Sequence, residues 1–297
     1  MTVNARYPIV FSACMLMVVL ALGGCSHQLK DSQGRPAISD AERALAMLQI
    51  ENTFSKHAYY HQINRQCDEM RDIWVAEDGP YASTAKWTLA GNVMQGIPMI
   101  KLDYCTINLE GQKQTLEELS KKVPSVKNIP ENVGAGSEHT MHTQETPVIE
   151  VAGDGKTAKG IWYSIGMSAR GVVADDGKTS VVTSWMWERY GVDFIKENGA
   201  WKIWHLVNLM DQAPVEAGTK SQGVPGGPGG ADKALDGAGK TPGGKAGPLS
   251  GGMGPVGSGE MKYAGRVDSY SWSPIVVPKI EPGFPEPYYT FSETFSY

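Results

Sequence analysis

Clustered basic charge is missing from this 297-residue chain: 27 Lys+Arg stand against 32 Asp+Glu, a formal charge of −5, and no stretch gathers Lys or Arg into a stripe. That excludes a nucleic-acid-binding surface, which needs phosphate-neutralising clusters. Cysteine is scarce, four in all, and neither a CxxC pair nor a zinc-ribbon spacing occurs, which leaves no basis for a cysteine-held zinc module. Aromatic residues are absent from 218–259, where 16 Gly and 5 Pro fill half of 42 positions. Such a segment cannot bury enough apolar area to order itself and reads as a flexible linker, placed at 213–259. Hydrophobic residues are present at 41%, enough for a core and too many for global disorder. One compact domain with extensions therefore fits better than two domains.

The amino terminus supplies an address. Arg6 is the only charge before an uncharged run at 7–24, which ends in the small residues of Leu22-Gly23-Gly24-Cys25. A positive start, an apolar middle and a small-residue end describe an export signal, and the pattern resembles a bacterial lipobox with Cys25 as the acylated first residue. An uncleaved span is the alternative, since 18 residues approach the length that crosses a bilayer. The expectation is a signal at 1–24, a polar tether at 25–38, and a lipid-anchored protein on the outer face of the cytoplasmic membrane or in the cell envelope. Cys14 leaves with the signal, so Cys67 and Cys105 remain in the domain, and a bridge or two buried thiols are equally consistent with that compartment.

Ser39-Asp40-Ala41-Glu42 has the S-x-x-E form of a capping box. Met47, Ile50, Phe54, Ala58 and His61 follow at helical spacing, and Ile63, Cys67, Met70 and Trp74 form a second, out-of-phase series. Two helices broken near 61–63 are predicted, then a short strand at 83–92 and a helix at 98–123 opened by Pro98. Strands are predicted at about 137–151, 156–171, 180–196 and 200–211. The turn signals between them are Gly153-Asp154-Gly155, Asp176-Gly177 and Asn198-Gly199, the strongest short-range hairpin marks. Helices followed by a meander give an α+β class for a domain at 39–212. In the last predicted strand, alternation puts Trp201, Ile203, His205 and Val207 on one face and Lys202, Trp204, Leu206 and Asn208 on the other. Residues 260–297 hold nine aromatics, too many for a disordered tail, and are expected to dock on the domain.

Two strings carry a family likeness: Pro147-Val148-Ile149-Glu150-Val151-Ala152-Gly153-Asp154-Gly155 running on to Trp162, and Tyr190-Gly191-Val192-Asp193-Phe194 with Gly199-Ala200-Trp201-Lys202-Ile203-Trp204-His205. Over about 40–212 the chain resembles the SnoaL-like branch of the nuclear transport factor 2-like superfamily. The resemblance implies a cone, a bent antiparallel sheet around a long N-terminal helix, with a hydrophobic pocket at one end. That superfamily holds scytalone dehydratase, lindane dehydrochlorinase, polyketide cyclases and ketosteroid isomerase, and also members that only bind, so fold does not settle function. The dehydratase and dehydrochlorinase use a His-Asp dyad. The family's His lies about eight residues before the Glu of Ile-Glu-Val, which is His142 here. Its Asp comes from the end of the first helix, where this chain reads Tyr59-Tyr60-His61-Gln62-Ile63-Asn64, and no carboxylate appears until Asp68.

The candidate catalytic set is thus His142 as base, a residue type suited to proton abstraction near neutrality, with Tyr60 or His61 facing it and Asp68 to orient it. The expected ligand-binding residues are Trp87, Tyr163, Trp187, His205, His57 and His139. His57 and His61 share a helix face at i, i+4, His139 and His142 lie close together on a predicted strand, and four imidazoles could in principle collect a transition metal; the helical pair lacks the Glu of a metalloprotease helix, so no metal and no cofactor are expected. The reading is a lipoprotein that binds a small apolar, cyclic molecule and performs cofactor-free dehydration, elimination or isomerisation. The alternative is a non-catalytic binding or interaction module. The expected partners are that ligand and the membrane through Cys25, with a homodimer by analogy to the superfamily.

Overall fold

The computed structural model describes residues 29–89, 91–174, 178–212, 261–266, 277 and 279–297; Cys25, the predicted signal, the Asp176-Gly177 turn signal and the predicted linker lie outside them. Helix α1, Asp40–Gln62, opens at the capping box, with Glu42 N–H donating to Ser39 Oγ at 3.1 Å and Ser39 N–H donating to Glu42 Oε2 at 2.8 Å. The stripe it buries is Ala46, Ile50, Phe54 and His57. Relative to the expected face this is rotated by about a residue, and Met47 is exposed. Asn64, at φ 55, turns the chain in the left-handed region that Asn tolerates, and α2, Gln66–Ile73, begins after it.

A hairpin follows where one strand was predicted: β1, Lys86–Leu89, and β2, Asn92–Gln95, reverse near Gly91 at φ 82. Then α3, Ile97–Lys101, passes through a π-helical turn, Leu102–Ile107, into α4, Asn108–Lys122. The turn widens the helix by a residue per turn and aims Asp103 and Tyr104 inward. A disulfide between Cys67 and Cys105 ties it to α2.

The predicted strand at 137–151 is two strands, β3, His139–His142, and β4, Glu145–Val151, both antiparallel to β5, Thr157–Val173. Pro147, which has no N–H for the ladder, sits where the β4 register shifts between Glu145 and Val148. β6, Thr179–Glu197, pairs with the whole of β5 and with β7, Ala200–Gln212, across the Asn198-Gly199 turn, where φ is 50 and 81. β1 runs parallel to β7, and β8, Gly265–Arg266, adds to β2. The sheet order is β3-β5-β6-β7-β1-β2-β8 with β4 on β5.

The bent sheet wraps α1. Phe54 packs on Trp162, Tyr190 and Phe194 at centroid distances of 4.5, 5.5 and 6.2 Å, filling one end of the cone. A bulge in β7 alters the expected faces: Asp193 pairs with His205 but Phe194 pairs with Ile203, so Trp204 is the extra residue. Ile203 lies in the core, His205 and Trp204 stack on the opposite side, and Asn208 returns to the interior beside Glu188. Neither alternating set runs the length of the strand.

The last residues lie across that opposite face. Gly153 and Asp154 N–H donate to Tyr288 and Tyr289 carbonyls at 2.9 and 3.0 Å, and Tyr288 Oη meets Thr157 Oγ1 at 3.1 Å. Phe291, Phe295 and Tyr297 surround Lys159 Nζ at 4.9, 4.4 and 4.6 Å, and Lys159 is paired to Asp193. Gly191 is required under this segment, since a Cβ there would stand 2.7 Å from the Tyr297 ring.

Asp103 is buried on the π-helical turn, and burial pushes its carboxyl up to about 6. The native state therefore binds its proton more tightly than the unfolded chain, and the stability this gives at low pH is lost as pH rises from about 4 through about 6. Asp103→Asn is expected to remove that loss and leave the protein on the order of 1–3 kcal/mol more stable at neutral pH. Urea midpoints of both proteins compared at roughly pH 4 and pH 8 check it, and parallel profiles would contradict it.

Candidate functional site

Where α1 ends inside the sheet, polar side chains from five elements meet. α1 contributes His57 and His61, α2 contributes Glu69, the π-helical turn contributes Tyr104, β3 contributes His142 and β6 contributes Glu188. Glu69 is buried because it shares a helix face with Gln66, Met70 and Ile73. Its Oε1 accepts from His57 Nδ1 at 2.8 Å and from Trp74 Nε1 at 3.4 Å, and its Oε2 accepts from the Tyr104 hydroxyl at 2.7 Å. His61 Nε2 contacts the same hydroxyl and lies 3.7 Å from Glu69 Oε2. Burial pushes the Glu69 carboxyl up to about 7. Burial also holds His57 and His61 well below the ordinary imidazole range, aided by His142 beside His57 and by His57 beside His61.

Glu188 is the opposite case. Burial acts to raise its carboxyl, but His142, Asn208 and Tyr190 outweigh it and hold it at about 2. Tyr190 Oη donates to Oε2 at 2.9 Å and Asn208 Nδ2 to Oε1 at 2.9 Å. His142 Nδ1 lies 3.3 Å from Oε2 and 3.2 Å from Ser164 Oγ. With Nδ1 turned to the carboxylate, the other ring nitrogen of His142, Nε2, is buried without a hydrogen-bond partner. Two carboxylates a few residues from one another in space are thus driven apart, one ionised and one able to carry a proton near neutrality, the usual setting for separate acid and base roles.

A cavity of about 510 Å³ opens beside this cluster, lined by Ala58, Tyr59 and Gln62 of α1, Met141 and His142 of β3, Ile165 and Met167 of β5 and Trp185 of β6. Its walls are mostly apolar, and His142 is the one histidine among the residues that line it.

The structure brings His142, His57 and His61 together and disperses the other expected residues. Asp68 is bound to Arg65 and Arg71 at the surface, and the carboxylate at His142 is Glu188. Tyr60 donates to Asp72, on a different side of α1. Trp87 is buried in the core, 4.8 Å from the Tyr104 ring. Tyr163 and Trp187 are exposed and do not line the cavity, whereas Trp185 does. His139 is exposed at the start of β3. His205 lies under the C-terminal segment, bonded to Asp193 at 2.7 Å and Ser296 at 3.0 Å. Glu69, Tyr104, Ser164, Glu188 and Asn208 were not anticipated. A carboxylate two residues before Tyr190 in an aromatic strand, and one on the apolar face of a short helix, were the signals available for Glu188 and Glu69.

Residues 42–207 match the profile of the SnoaL-like domain. Solved structures similar to the chain include hexachlorocyclohexane dehydrochlorinase type 2, at 15% identity over 61% of this chain and 95% of that one with a TM-score of 0.38. The type 3 enzyme from Novosphingobium barchaimii LL02 has 15% identity, coverage of 61% and 97%, and a TM-score of 0.36. An uncharacterized protein with a cystatin-like fold from Caulobacter vibrioides has 11% identity, coverage of 57% and 91%, and a TM-score of 0.35. Comparison with curated proteins finds no match.

Glu69 accepts from three buried donors, so Glu69→Ala leaves His57, Tyr104 and Trp74 without their acceptor. A loss of about 2–4 kcal/mol in unfolding free energy is expected, because buried unsatisfied groups carry their full desolvation penalty, while Glu69→Gln, which keeps an acceptor oxygen, loses less than half of that. Urea denaturation of the three proteins checks the ranking.

Proposed function

The chain belongs to the SnoaL-like domain family, and from that premise we propose that it binds a small apolar, cyclic molecule in the cavity beside His142 and moves a proton on it. The observation that carries this reading is the His142–Glu188 pair, with Nδ1 held by an ionised carboxylate and Nε2 buried without a partner, in a residue that borders an apolar cavity. That is the tautomer and orientation a general base needs. The pair replaces the family's His-Asp arrangement with a carboxylate from β6 in place of one from the first helix. Glu69 and Tyr104 lie on the His57 and His61 side of the cluster and do not border the cavity, so the reading assigns the proton transfer to His142. Nothing in this scheme calls on a cofactor.

We also propose that the protein is exported and held by lipid at Cys25, on the expected lipobox and on the Cys67–Cys105 disulfide, which fits an oxidising compartment. Among the described residues no helix is long and apolar enough to cross a membrane.

Proton transfer is tested without knowing the substrate by incubating the protein in D₂O with a panel of cyclic carbon acids and following deuterium uptake by NMR. His142→Ala is expected to slow exchange by roughly 10²–10⁴, the range for a general base, with ligand binding retained. Panel members that bind tightly and never exchange would favour the non-catalytic module. For the address, Cys25→Ser is expected to abolish membrane retention and the mass of an attached lipid, and unchanged fractionation and mass would contradict it.

A further inference from the structure

We infer that the imidazoles of His57, His61 and His142 form a binding site for one divalent ion of the zinc, cobalt, nickel or copper class. One ring nitrogen of each histidine lies within 4.8 Å of the other two, and the ring centroids stand 4.3, 4.9 and 5.2 Å apart. Three imidazoles packed this closely bring three possible ligand nitrogens around one point.

The second observation concerns where those nitrogens point. His57 Nδ1 is engaged by Glu69 at 2.8 Å and His142 Nδ1 faces Glu188 at 3.3 Å. Both rings therefore carry hydrogen on Nδ1 and a lone pair on Nε2, and both Nε2 atoms are buried without a partner. A carboxylate on one ring nitrogen and an open lone pair on the other is the arrangement that orients metal-binding histidines and raises their basicity. An unpartnered buried nitrogen costs free energy in the ion-free protein, and a cation shared by the two removes that cost. His61, 19% exposed at its side chain, is the ring with room to move. A tetrahedral ion with nitrogens at about 2.0–2.1 Å needs them about 3.4 Å apart, so the longest edge has to close by on the order of 1 Å. Nitrogen donors select borderline transition metals over magnesium or calcium, which take oxygen.

The sequence offers His57, His61, His139 and His142 as possible ligands but expects no metal, because an i, i+4 pair without a neighbouring Glu is a weak signal; the structure leaves His139 exposed and gathers the other three. His142 supplies the third ligand from a strand more than 80 residues away in the chain. This inference stands apart from the proton-transfer reading, since it needs only the three rings. Where both hold, the ion and the proton compete for His142 Nε2, and a loaded protein should not perform the exchange reaction.

The test is titration of cobalt(II) chloride into the metal-stripped full-length protein, followed by visible ligand-field absorption. Saturation at one ion per chain, reversal by zinc, and at least about tenfold weaker binding in His57→Ala and in His142→Ala are expected. Glu69→Gln and Glu188→Gln, which act through the ligands, should weaken binding by roughly 10–100-fold. Absence of saturable binding to the parent protein, or equal binding in both histidine variants, overturns the proposal. If the variants fail to fold, X-ray absorption of the zinc-loaded parent decides: imidazole scattering from three nitrogens at about 2.0 Å supports the site, and a shell of oxygens alone overturns it. No exchange by the metal-free parent protein, with saturable metal binding intact, would count against the proton-transfer reading only.

Discussion

Glu188 is an ionised carboxylate inside a cone of aromatic rings, where a lone charge would cost several kcal/mol. It is tolerated because β3, β5, β6 and β7 each send one polar group toward it: His142, Ser164, Tyr190 and Asn208. Those contacts require register. Gly166 sits opposite His142 so that β3 can lie close, and a Cβ at Gly166 would stand 2.5 Å from the Met141 carbonyl oxygen. The bulge in β7 turns Asn208 inward two residues after Leu206 while His205 faces away. The position of the imidazole is therefore a consequence of how a buried charge is satisfied.

The helical side of the site has its own constraint. Glu69 and Tyr104 come from separate elements, and the disulfide between Cys67 and Cys105 joins them one residue away from Tyr104 and two from Glu69. Tyr104 is buried on the π-helical turn, and from there its hydroxyl donates to Glu69. Burial raises Glu69 and lowers the neighbouring histidines, so this half of the cluster favours neutral forms while the Glu188 half favours charge.

On the reverse of the sheet a second buried network forms around Lys159, Asp193 and His205. The C-terminal segment closes it: Ser296 Oγ donates to Asp193 Oδ2 at 3.2 Å, and Tyr297 N–H does so at 3.0 Å. Three aromatic rings of that segment cover the ammonium. The cone thus buries polar groups on both faces of one sheet, with the strand pleat sending Asp193 outward and Glu188 and Tyr190 inward.

Local sequence determined the elements that depend on near neighbours. The capping box set the start of α1, Asn198-Gly199 set the β6–β7 turn through two positive φ angles, and helical spacing separated α1 from α2. The resemblance picked out His142 and the class of fold. Tertiary structure alone decided what His142 touches, because its partner Glu188 lies 46 positions away and is selected by strand register, which shifts at bulges that no alternation of residue types reveals. Asp68, near in sequence, turned to Arg65 and Arg71, whose charges are adjacent and solvated, while Glu69 went inside because it shares the buried helix face of Gln66, Met70 and Ile73. A one-residue difference on a helix changes direction by about 100°, and only packing against the rest of the molecule decides which of two neighbouring carboxylates is buried.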